Sequence, residues 1–104
     1  MTKAFPTNSE RTRLNTIARR FTLAATAERR ADCDSLLDEG VRFLTACAHA
    51  GMPAAYIVDS AKGLRDELSN LMAQINRDLD DVGEVAAPPL EMSELDDLIL
   101  GAGR

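Results

Sequence analysis

IVDSAKGLRDELSNLMAQINRDLDDV, residues 57–82, is the stretch whose reading decides the fold. Its apolar residues Ile57, Ala61, Leu64, Leu68, Leu71, Ile75 and Val82 recur in alternating steps of four and three, closing on a step of seven. That is the rhythm of a helix packed lengthwise on another helix. Asp78 interrupts it, and Leu79 beside it fills the gap. Pro53 stands where a helix start tolerates a missing N–H. Gly83 follows the last seam residue, a common place for a helix to stop. The spacing predicts one helix over residues 53–82, with Ile57, Leu64, Leu68, Leu71 and Ile75 as its bundle or dimer seam.

Moving outward, Gly51-Met52-Pro53 is the clearest punctuation before it. Gly ends one helix and Pro opens the next, and so short a connection makes the flanking helices antiparallel neighbours. Upstream, Asn8 or Ser9 is suited to cap a helix beginning at Glu10, and neither Gly nor Pro occurs from there to Glu39. Leu14, Ile17, Phe21 and Ala24 or Ala25 form one face. Leu37, Val41, Leu44 and Ala48 form a second, out of heptad register with the first. Two readings fit: a single helix over 9–49 whose stripe drifts round its surface, or a break near 31–35 capped by Asp34 or Ser35. The absence of a breaker favours the single helix. Gly40 costs about 1 kcal/mol against Ala in a helix interior, which suggests close packing. The first helix outruns its partner, so part of its apolar face stays uncovered in a monomer, and a homodimer is expected.

A chain of 104 residues forms one small domain with a limited core. It is 45% hydrophobic but only 4% aromatic, a composition of Leu, Ile, Val and Ala that suits close-packed helices. The net charge of −5 is unevenly spread. Residues 1–30 hold seven basic and two acidic side chains, whereas residues 77–104 hold two basic and eight acidic ones. Ends of opposite sign favour an antiparallel partner or a tail folded back, or else face two different partners. Cys33 and Cys47 are 14 positions apart, about 21 Å along one helix, too far for a disulfide. Neither a signal peptide nor a membrane-spanning run is apparent, so a reduced, cytoplasmic protein with no membrane partner is expected.

Residues 1–8 read as a flexible leader, 9–82 as the helical bundle, and 83–104 as a linker plus acidic-hydrophobic tail. Pro88 and Pro89 stiffen the linker. Ser93 and Asp96 make a capping pair before Leu95, Leu98 and Ile99, which share a helix face. So short a helix orders by docking, on its own bundle or in a groove of another protein. Leu95, Leu98, Ile99, Asp96 and Asp97 are therefore the candidate partner-binding residues.

Chemistry finds little purchase. Cys33, Cys47 and His49 are the soft metal ligands, one short of a closed zinc site and at unsuitable spacing. Cys47 and His49 are two apart on a helix and point away from each other. His49 suits a helix C-terminus, where the dipole favours its cation. The pairs Asp80-Asp81 and Asp96-Asp97 lie in polar stretches, and the glycines are too scattered to cradle phosphate. No catalytic, cofactor-binding or metal-binding residue is assigned, and an enzyme is not expected.

Ala50-Gly51-Met52-Pro53-Ala54-Ala55-Tyr56-Ile57, followed by Gly63, resembles the helix-turn-helix of Cro-like phage repressors. On that resemblance Ala50, Gly51 and Met52 would form the turn. Tyr56, Ile57 and Gly63 would belong to a recognition helix, implying DNA binding. The departures fall on functional positions: Pro53 for the usual Ser or Thr cap, Ala54 and Ala55 where base-reading side chains stand, and Asp59 toward phosphates. The family turns after the Gly, whereas the seam runs straight through Gly63.

The expected architecture is all-α: an antiparallel helical hairpin or small three-helix bundle with coiled-coil-like packing and a short C-terminal tail helix. The expected function is that of a small non-enzymatic regulator or inhibitor that binds and blocks a larger protein partner, in the manner of antiactivators or phage- and plasmid-encoded inhibitors. The alternatives are a transcriptional regulator with a degenerate helix-turn-helix around residues 46–63, and a dimeric chaperone or assembly factor. Nucleic acid is the less favoured partner.

Overall fold

The computed structural model describes residues 7–102 and contains three helices: α1 (Asn8–His49), α2 (Ala54–Asp81) and α3 (Ser93–Ala102). α1 and α2 are antiparallel: Arg29 on α1 pairs with Asp78 late in α2, and Gly40 lies against Leu64 near the middle of α2. The linker and α3 fold back antiparallel to α2 along one side of the hairpin. Ala87 N–H donates to Asn76 Oδ1 at 2.9 Å, and further along Asp96 pairs with Arg65 at 3.2 Å. The three-helix arrangement is elongated, 74 × 18 × 18 Å.

α1 is one unbroken helix through the stretch of residues 31–35. Arg30 and Asp34 form an i,i+4 ion pair across it. Its N-cap is Thr7, not Asn8 or Ser9. Thr7 Oγ1 accepts from the Glu10 N–H and the Glu10 carboxylate accepts from the Thr7 N–H, each at 3.2 Å, a closed capping box. Of the expected leader, residues 1–6 lie outside the described residues, Thr7 is the cap and Asn8 is already helical.

Both long helices end the same way. Gly51 (φ +86°) follows α1, with the Gly51 N–H bonded to Ala48 O and the Met52 N–H to Cys47 O. Gly83 (φ +74°) follows α2, with the Gly83 N–H bonded to Asp80 O and the Glu84 N–H to Leu79 O. These are paired Schellman bonds, and each needs a residue at ease with positive φ. α2 runs through Gly63 without interruption, so the turn that a helix-turn-helix requires after that residue does not form.

The core is the seam with its partners. Ile57, Ala61, Leu68 and Ile75 are essentially inaccessible, and Leu64 and Leu71 are half-buried against them. α1 contributes Cys33, Leu37, Val41 and Leu44. Leu90 and Leu95 complete the core from the linker and α3. Buried Met72 and Leu79 widen the α2 stripe beyond the seam, as a helix with two neighbours requires. Buried Thr26 satisfies its hydroxyl locally, donating to Thr22 O at 2.8 Å.

Candidate functional site

α1 carries two apolar stripes on different sides. Leu37 lies about 140° round a straight helix from Leu14, at about 100° per residue. The stripe of Cys33, Leu37, Val41 and Leu44 faces α2 and α3. The stripe that begins with Leu14, Ile17 and Phe21 therefore points away from the bundle. These side chains are 58%, 43% and 73% exposed. The stripe continues in steps of eleven, from Leu14 through Ala25 to Leu36 and from Phe21 through Asp32 to Phe43. An eleven-residue step keeps residues on one side of a straight helix. Leu36 and Phe43 are exposed as well.

Length separates the two halves of that stripe. α1 is about 63 Å long and α2 about 42 Å at 1.5 Å per residue. The excess projects past the C-terminal end of α2 as an arm, whose base is tied down by the ion pair of Arg19 with Glu84 in the linker. Beyond that pair, Arg11, Arg13 and Arg20 form no ion pair among the described residues. Alongside the bundled half runs a groove between α1 and α2, on the side away from α3. One hollow of about 170 Å³ is lined by Arg29, Asp32, Cys33, Leu36, Leu71, Gln74 and Ile75. A second, of about 180 Å³ and nearer the arm, is lined by Thr22, Ala25, Arg29, Asp78, Asp81 and Val82.

The tail residues expected to meet a partner are largely engaged within the chain. Leu95 is fully buried in the core, and Leu98 and Ile99 are half-buried against it. Asp96 is paired with Arg65 rather than capping with Ser93. The Ser93 N–H instead donates to Glu91 Oε1 at 3.2 Å, and hydrogen bonding to Ser93 lowers the Glu91 pKa. Asp97 is exposed and, with Glu94 and Leu98, borders a shallow hollow against Val41 and Thr45. The side chains that seat the tail were missing from the sequence reading. Arg30 donates through Nε and Nη2 to the carbonyls of Pro88 and Pro89, at 3.2 and 3.3 Å, and Asn76 holds Ala87. The proline pair signals a stretch with two backbone donors missing, but nothing in its spacing points to Arg30.

Cys33 is buried and Cys47 half-buried, and both are free thiols. Burial pushes the Cys33 thiol pKa up, and Arg30 opposes the shift only in part. No cluster of three His, Cys, Asp or Glu side chains stands ready for a metal ion among the described residues. No helix there is long and apolar enough to cross a membrane. No family model, no curated protein and no solved structure matches this chain.

Proposed function

We infer that this chain is a small non-enzymatic regulator or inhibitor that acts by binding a larger protein and blocking or sequestering it. One observation carries the reading: Leu14, Ile17, Phe21, Leu36 and Phe43 stand exposed along one side of a single helix. The exposed group Leu14, Ile17 and Phe21, with Leu36 and Phe43 further along the same side, is apolar surface of the kind that marks macromolecular contact. An amphipathic helix presenting residues at these spacings is a recurrent recognition element. The free thiols Cys33 and Cys47 suit work in the reducing cytoplasm.

The test is affinity capture from a lysate of the source cells with three versions of the whole chain: native, Phe21→Asp and Leu98→Asp. Circular dichroism first establishes that each retains its helices. A protein held by the native chain and by Leu98→Asp, but lost with Phe21→Asp, supports a partner surface on α1. Loss with Leu98→Asp alone returns the site to α3. Capture by all three overturns both assignments.

A further inference from the structure

We propose that the outer face of α1 is covered by a second copy of the chain, each arm lying antiparallel in the α1–α2 groove of the other. This rests on the reading of that face as a protein-binding surface, and it names the occupant. A larger partner taking the same face then competes with dimerisation.

Three observations point to a second copy. The first is charge. Residues 8–25, the arm and its base, hold Arg11, Arg13, Arg19 and Arg20 against Glu10, a net +3 that becomes +2 once Glu84, the partner of Arg19, is included. The groove is lined by Asp32, Asp78 and Asp81 against Arg29, a net −2. A basic rod and an acidic trough on one molecule attract between copies and steer their encounter.

The second is continuity. The arm stripe and the groove wall belong to the same face of the same helix, Leu14–Ala25–Leu36. A two-fold axis near Ala25 lays two such faces together and sets Leu14 of each copy beside Leu36 of the other. Ala18 and Ala25 are small and exposed, which lets the helices approach closely near the axis. The contact is isologous, so it closes at two copies and leaves no free arm to propagate a chain.

The third is area. Leu14, Ile17, Phe21, Leu36 and Phe43 expose on the order of 500 Å² of side chain per copy, or about 1,000 Å² across the pair, before any polar rim is added. With a rim, that reaches the roughly 1,200–2,000 Å² of a standard stable interface. A contact between two arms alone would cover Leu14, Ile17 and Phe21, oppose two basic segments, and leave Leu36 and Phe43 bare.

The experiment is sedimentation equilibrium on the full chain from micromolar to millimolar concentration, in about 50 mM and about 500 mM salt. The expected result is a monomer–dimer equilibrium that weakens as salt rises. Phe21→Asp in the arm and Leu36→Asp in the groove are each expected to weaken it roughly a hundredfold, with helicity preserved because both side chains are exposed in the monomer. Mixing the two variants distinguishes this geometry from others. In the mixed pair one arm and its groove are both native, so association is expected to exceed that of either variant alone. No gain on mixing overturns the arm-in-groove arrangement. A native chain that stays monomeric throughout overturns the second copy as occupant, whereas the capture experiment above decides independently whether α1 binds another protein. A monomer that instead floats with vesicles of anionic phospholipid overturns the proposal and assigns the arm to a membrane surface.

Discussion

Gly40 offers the sharpest test of how α1 and α2 pack. A Cβ placed there would lie 2.3 Å from Leu64 Cδ2, but 3.6 and 3.8 Å from Leu64 Cγ and Cδ1. The obstruction is thus a single methyl at the far end of a flexible, half-buried side chain. In Gly40→Ala two effects oppose. Helix propensity favours Ala by about 1 kcal/mol. Displacing the Leu64 methyl costs about 1 kcal/mol in rotamer strain and lost packing. The expected net change in the native background is within about 0.5 kcal/mol of zero. In a Leu64→Ala background the obstructing methyl is gone, so Gly40→Ala is expected to stabilise by the full ~1 kcal/mol. The coupling between the positions is therefore about 1 kcal/mol, although Leu64→Ala alone destabilises by about 2 kcal/mol. Urea melts of the four chains, followed by helical circular dichroism at one low concentration, measure it, provided the slopes agree. A gain of about 1 kcal/mol in both backgrounds would refute the close approach at Gly40. A loss in both would mean that something other than Leu64 occupies the space.

Leu95→Ala empties the tail's main anchor and is expected to lower stability by about 3 kcal/mol. Amide exchange should show α3 released while α1 and α2 stay protected, and a loss below about 1 kcal/mol would argue against a docked tail. Thr7→Ala opens the capping box at the tip of the arm, which touches none of the core. Helicity is expected to fall by a turn or two with the urea midpoint unchanged, and a shifted midpoint would contradict an independent arm. Cys33 keeps its proton in the fold after an unfolded thiol has lost it. Its contribution to stability is therefore complete below the ordinary thiol range and is lost as pH rises through the elevated folded pKa, with a slope of at most about 1.4 kcal/mol per pH unit. Cys33→Ala should remove that slope in urea melts across the alkaline range, and a thiol reagent should label Cys47 well before Cys33. Equal labelling rates would contradict the burial of Cys33.

The parts legible in the sequence were those governed by local rules. The α2 seam, its ends at Pro53 and Gly83, and the tight turn at Gly51 each follow from spacing or backbone freedom alone. Thr7 was missed because Asn8 and Ser9 are equally good cap residues. The discriminating signal was the Thr7–Glu10 spacing, which closes a capping box where Asn8 and Ser9 have no acid three residues on. The two stripes of α1 were visible as a register shift, but which of them faced the bundle depended on where α2 ended. Met72 and Leu79 beside the seam held the sequence sign of a third helix, a stripe too wide for one neighbour. The seating of the tail by Arg30 and Asn76 was not legible, because it joins polar groups 58, 59 and 11 positions from their partners.

That seating bears on where a partner would act. The uneven charge of the chain is partly satisfied internally, through Arg19 with Glu84, Arg29 with Asp78 and Arg65 with Asp96. Such half-exposed pairs contribute little each, so the apolar anchors Leu90 and Leu95, with Leu98 and Ile99 packed beside them, set most of the cost of lifting the tail. If undocking costs about 3 kcal/mol, the binding-competent tail is populated at about one part in 160 and its apparent affinity falls by that factor. The face of α1 carries no such penalty. Phe21 and Leu14 are presented on a helix that needs no rearrangement, beside arginines that are free of ion pairs among the described residues. A partner directed at the tail must outbid the chain's own core, whereas one directed at α1 competes only with water or, in the arrangement proposed above, with a second copy of the same surface.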